Sequence, residues 1–235
     1  MRTEVFARLR AAQAEKRPVA LLTRLPDGAQ RLWGAGEDAE DIPPELTEAA
    51  RAALAGDAAR MAEVAGESWF VHPHNPPLRL ILVGAVHIAQ ALVPMAVAAG
   101  FAVAVVDPRR AFATEERFAK GAALIHEWPD DAMALLGPDA RSAVVTLTHD
   151  PKFDDAALDA ALRSEAFYIG ALGSRRTHAK RLARLAELGH GEAAAARIHA
   201  PVGLNIGAVT APEIAVSILA EIVAVRRGAT LGQRT

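Results

Sequence analysis

The chain has 235 residues, 51% of them hydrophobic and 23% charged, with a formal net charge of -2. That is a globular composition, long enough for one sizeable domain or one domain with a small companion, and its near-neutrality provides no global basic field to recruit nucleic acid or an anionic membrane. Cysteine is absent, which excludes disulfides, thiolate metal ligands and a thiol nucleophile, and accords with a reducing cytoplasm, the expected location.

Met1 to Arg10 carries charges throughout and has no apolar stretch, so no signal peptide is expected. Val5, Phe6 and Leu9 are spaced for a short amphipathic helix. Residues 19–23 and 30–33 flank Pro26-Asp27-Gly28 and predict a hairpin. A helix over 44–54 and a strand over 68–71 complete a small α+β domain at residues 1–77. Its last stretch, His72-Pro-His-Asn-Pro-Pro77, reads as a linker, because proline disfavours both helix and central strand.

From residue 78 to 235 the pattern changes. Short apolar runs at 80–83, 102–106, 122–125, 142–146 and 166–169 alternate with helical stretches such as 88–99 and 156–163. This predicts an α/β, Rossmann-like domain, a parallel sheet with helices on both faces. Residues 88–106 lack charge over nearly a membrane-spanning length, but Pro94 and Gly100 divide them into a buried helix and a buried strand. No transmembrane segment is expected.

Three places carry candidate binding residues. At the first, a strand runs into Gly84-Ala85-Val86-His87, and Asp107 follows at about the 20-residue interval expected of a ribose-binding acid. A tight turn there would free amides at a helix N-terminus for phosphate. Val86, however, stands where a second glycine normally admits a pyrophosphate, which disfavours an intact NAD(P). Arg109 follows Asp107 and could engage a ligand phosphate, whereas Arg110 reads as solvated.

The second place repeats the idea more strongly. A strand leads to Gly173, and Ser174 is a good N-cap for a helix that continues to Leu188. Arg175 and Arg176 oppose the helix dipole in its first turn, so a bound anion would compensate them. Lys180, Arg181 and Arg184 read as a solvated helix face. The third place is the loop from Pro201 through Gly203, Asn205 and Gly207, ahead of a final helix capped by Thr210 with Glu213 in its first turn. Ile214, Ile218 and Ile222 give that helix a core-facing stripe; of its two acids, Glu213 alone is placed to face the loop, and Glu221 reads as a cap or surface charge.

The sequence shows binding more clearly than catalysis, and no metal-binding pair stands out. The chain contains no H-E-x-x-H, G-x-S-x-G or Walker motif, and His72 and His74 lack further nearby ligands. His87, His149 and His199 lie near strand ends without a carboxylate partner fixed by spacing.

These motifs, in this order, resemble the xanthine dehydrogenase accessory protein family, XdhC/CoxF, over residues 79–228. The resemblance rests on Val83-Gly84-Ala85-Val86-His87, Val106-Asp107-Pro108-Arg109, Ile169-Gly170 to Arg176, and Pro201 to Gly207 leading to Pro212-Glu213. It implies a maturation chaperone that binds the molybdenum cofactor and delivers it to an apo molybdenum hydroxylase of the xanthine or carbon monoxide dehydrogenase type. Family members commonly have glycine at position 86, and longer ones carry a cysteine-bearing N-terminal motif that this chain lacks. A cysteine desulfurase and a separate cysteine-bearing family member are therefore implied as partners, with no nucleic acid or membrane partner and with a homodimer left open. The implied site is Gly173, Ser174 and Arg175 on phosphate, Asp107 and Arg109 on the polar body, and the Gly203 to Gly207 loop as a cover. Two rivals remain: an NAD(P)-dependent oxidoreductase using Gly84 and Asp107, and a docking protein that binds no cofactor.

Overall fold

The computed structural model describes residues 3–34, 42–118 and 121–229. In chain order its elements are α1 (Thr3–Ala14), β1 (Val19–Arg24), β2 (Gln30–Gly34), α2 (Pro44–Gly56), β3 (Arg60–Val64), β4 (Glu67–His74), β5 (Arg79–Val83), α3 (His87–Ala98), β6 (Ala102–Val106), β7 (Ala122–Ile125), α4 (Pro129–Leu136), β8 (Ser142–Thr146), α5 (Pro151–Arg163), β9 (Tyr168–Ala171), α6 (Arg175–Glu187), α7 (Glu192–Ala195), β10 (Ile198–His199) and α8 (Ala211–Arg227). They fall into two units, Met1–Pro76 and Pro77–Thr235.

The first unit is built on a four-stranded antiparallel sheet in the order β2-β1-β4-β3. Asp27 forms the expected turn by accepting from the Ala29 amide at 3.0 Å, and the hairpin pairs Val19 with Gly34. Every residue from Val19 to Leu22 is buried because β1 is covered on both faces. Val19 and Leu21 pack with Leu9 and Ala12 of α1, whereas Ala20 and Leu22 pack with Leu46, Ala50 and Ala53 of α2. The expected linker is shorter than 72–77. His72, Pro73 and His74 belong to β4 and pair with Leu21, Ala20 and Val19. Pairing with β3 ends at Val71, so Pro73 lies where β4 has a free edge and needs no amide on that side.

The second unit holds a six-stranded, wholly parallel sheet in the order β10-β9-β8-β5-β6-β7. Strand order reverses between β5 and β8, and β5 and β8 are accordingly buried along nearly their whole lengths. Leu80 and Leu82 point toward α3 and α8, Ile81 and Val83 toward α4 and α5. Each such fully buried aliphatic side chain contributes about 1.5–3 kcal/mol. Pro94 does not interrupt α3 but sits inside it, at an exposed position. No helix among the described residues is long and apolar enough to cross a membrane.

Candidate functional site

The loops that follow β5, β6, β7, β8, β9 and β10 meet at the carboxyl edge of the parallel sheet, the edge where open α/β sheets place ligands. At the β5–α3 turn, Gly84 has φ +112°, and a Cβ there would stand 2.5 Å from Thr148 Cγ2 across the switch point. Glycine is required on both counts. The amides beside it already have internal acceptors: Gly84 donates to the Val106 carbonyl at 2.8 Å and Ala85 to Asp107 Oδ2 at 2.8 Å. Val86 occupies the N-cap of α3 and offers no side-chain acceptor, and His87 begins the helix exposed.

Asp107 is 1% exposed and meets its own chain. Besides the Ala85 amide, it accepts from Arg109 through the backbone amide at 3.0 Å, Nε at 2.9 Å and Nη2 at 2.7 Å. Burial raises the Asp107 carboxyl pKa, but the hydrogen bonds from Arg109 and Ala85 outweigh it and hold the group below the usual carboxylate range. Arg109 lies over the rings of Phe112 and Phe153, at 4.5 and 5.2 Å.

At the β9–α6 turn, Gly173 has φ +133°, and Ser174 caps α6 by accepting from the Thr177 amide at 3.2 Å. The first turn of α6 contains no acidic residue. Arg175 and Arg176 are exposed and point to different clefts. Arg175 lines a cleft of about 460 Å³ whose other wall is the β10–α8 loop from Pro201 to Ala208, including Gly203, Asn205 and Gly207, backed by Ile214 and Ser217 of α8. Arg176 lines a second cleft with His149, Lys180 and Arg181. Of the residues expected at the second place, Arg175 alone shares a cleft with the loop of the third place; Gly173, Ser174 and Glu213 do not line it. Gly84, Ala85, His87, Asp107 and Arg109 do not line it.

The β10–α8 loop is held by a residue whose role local sequence does not disclose. Glu221 accepts from the Gly203 amide at 2.8 Å and from the Tyr168 hydroxyl, and stands 3.5 Å from His199 Nδ1. The His199 ring stacks on Tyr168, 4.6 Å between centroids. Burial raises the Glu221 pKa, yet the contacts from His199, Tyr168 and Gly203 prevail and lower it. Gly203, with φ +95°, approaches α8 so closely that a Cβ would collide with Ser217 Oγ and lie 3.2 Å from the Ile218 amide. Glu213 serves instead as a cap, accepting from the Val209 and Thr210 amides at 2.8 Å in a capping box with Thr210.

Arg181 also departs from expectation. It is not part of a solvated face: the residue is 1% exposed, and its Nη2 donates to the Leu172 carbonyl at 2.9 Å and to Asp154 Oδ2 at 3.3 Å. Helical spacing alone places it among exposed arginines. Its acidic partner lies on α5, whose first residues the periodicity does not reveal.

The family profile of the XdhC Rossmann domain matches residues 80–222. The chain belongs to the XdhC family. Over 165 residues, 70% of this XdhC chain and 30% of the other, it is 38% identical to the uncharacterized protein YqeB of Escherichia coli K12. It is 35% identical over 158 residues to a probable xanthine dehydrogenase subunit of Bacillus subtilis 168, covering 67% of this chain and 46% of that protein. It is 42% identical over 99 residues to the molybdenum cofactor insertion chaperone PaoD of Escherichia coli K12, covering 42% of this chain and 30% of that protein. The chain therefore spans less than half the length of these relatives. Among solved structures, a xanthine dehydrogenase of Bacillus halodurans matches with a TM-score of 0.68 at 24% identity, over 99% of this chain and 65% of that one, a likeness of fold.

Proposed function

We propose that this XdhC chain binds the molybdenum cofactor as cargo, shields it, and delivers it to an apo molybdenum hydroxylase in the cytoplasm. The observation that carries the reading is the shared cleft: Arg175, exposed at a dipole-positive helix start, faces the Gly203 to Gly207 loop across about 460 Å³. That volume lies within the range of small-ligand pockets, about 300–1,000 Å³. Pterin phosphate at Arg175, with the ring system against the loop, uses the cleft as it stands. The name of PaoD supports the same cargo. With no cysteine in this chain, sulfur chemistry at the metal falls to other proteins, a cysteine desulfurase and a cysteine-bearing family member.

A nicotinamide dinucleotide at the Gly84 turn is disfavoured by the Val86 side chain and by the Ala85 amide already donating to Asp107. The test is cofactor retention. Wild type and Arg175→Ala are loaded with the cofactor and gel-filtered, and the pterin is quantified by its fluorescence after oxidation. Retention is expected to fall at least tenfold in the variant with an unchanged melting temperature. Equal retention, or a wild type that retains no pterin, contradicts the reading.

A further inference from the structure

The second cleft, about 280 Å³, opens between the starts of α5 and α6. Four cationic side chains line it, Arg176, Lys180, Arg181 and Arg184, together with His149 and one carboxylate, Asp154. Arg184 is neutralised by Asp155, which takes both Nε and Nη2. Asp150, between His149 and Pro151 in sequence, accepts from the Lys152 amide as the N-cap of α5, and its charge also acts on Arg109. Among the described residues, the Arg176 and Lys180 side chains have no hydrogen-bond or ion-pair partner.

Arg181 is the informative residue. It is 1% exposed, and although Nη2 has two acceptors, Nε and Nη1 are buried with no partner among the described residues. A buried guanidinium with two unmet donors costs free energy unless an acceptor arrives. Asp154 does not remove the demand. It divides its oxygens between Thr148 Oγ1, at 2.7 Å, and Arg181, and burial pushes its carboxyl above the usual range. Two helix N-termini, Pro151 of α5 and Arg176-Thr177 of α6, add positive ends of dipoles to the same space.

We infer that this cleft is a diphosphate-binding site in which Arg176, Lys180 and the unmet donors of Arg181 hold the phosphate oxygens. It is separate from the cleft of Arg175 and does not rest on the cofactor reading. An anion with several oxygens and more than one negative charge satisfies the donors and the excess positive charge together, and guanidinium groups match its geometry. Two sources have this chemistry, free pyrophosphate and the diphosphate of a nucleotide.

Calorimetric titration of the full chain with inorganic pyrophosphate and, separately, with cytidine diphosphate tests the site. The variants are Arg176→Ala with Lys180→Ala, both exposed positions whose loss leaves the fold intact, and, as the comparison, Arg163→Ala, an exposed cation in the last turn of α5 that lines neither cleft. Pyrophosphate is expected to bind wild type, to bind the double variant at least tenfold more weakly, and to bind Arg163→Ala within threefold of wild type. Similar affinity for the two ligands assigns the site to the phosphates alone; tighter cytidine diphosphate binding assigns it to a nucleotide. Absence of binding in the millimolar range, an unaffected double variant, or an equal loss in Arg163→Ala overturns the proposal.

Discussion

Glu221 joins three elements through one carboxylate: Tyr168 of β9, His199 of β10, and the Gly203 amide of the loop. Its pKa is lower in the folded chain than the ordinary 4.5, so the stability it contributes is present above that pH and is lost as pH falls through the folded value. Glu221→Gln is therefore expected to cost about 1–2 kcal/mol in urea unfolding at pH 6–7, with the difference shrinking to nothing as the wild-type carboxyl protonates. A cost independent of pH would place the stabilisation elsewhere. Asp154→Ala should cost more, about 3–5 kcal/mol, because it leaves Arg181 buried without its counter-ion. A cost below about 0.5 kcal/mol, the usual value for a surface site, would show that the pair is solvated in solution. Neither residue can be singled out from local sequence. Glu221 meets its partners 53 and 18 positions away, and Arg181 meets Asp154 at 27, distances that helical periodicity does not encode. Ser174, by contrast, is legible because its bond to the Thr177 amide lies within one helical turn.

Short-range signals locate most elements. The Asp27 turn, the Ser174 cap of α6, and the Thr210-Glu213 capping box each rest on contacts within four residues. Less visible are α4, whose eight residues give little periodicity, and β10, two residues long and held as a strand only by pairing with β9. The expected strand at 166–169 is realised as β9 over Tyr168–Ala171, which brings Gly170 into the sheet, where a Cβ would meet Val202 and the Tyr168 ring. The β10–α8 loop contains two glycines with left-handed backbone but unequal surroundings. Gly203 is wedged against α8, whereas nothing lies within 4 Å of a Cβ on Gly207. Gly207→Ala should cost about 1–2 kcal/mol from backbone strain alone. Gly203→Ala adds the collision with Ser217, so it should cost distinctly more and displace the loop. Equal losses in thermal or urea unfolding would show that the loop is not seated on the helix as described.

At the scale of the molecule, a parallel sheet whose order reverses between β5 and β8 gathers six loops at one edge, and the chemistry is distributed unevenly among them. The β5–α3 turn has its Ala85 amide and Asp107 carboxylate already joined to each other. The β9–α6 turn and the β10–α8 loop keep an exposed arginine and a lined cleft. Sequence order alone does not reveal this division, because it depends on which amides and carboxylates find each other in three dimensions. The central claim, that cofactor is held by the second pair of loops, is tested most directly by hydrogen–deuterium exchange of the chain with and without bound molybdenum cofactor. Slower exchange is predicted over 172–176 and 201–208, with residues 84–89 unchanged. Protection confined to 84–89 would contradict the account.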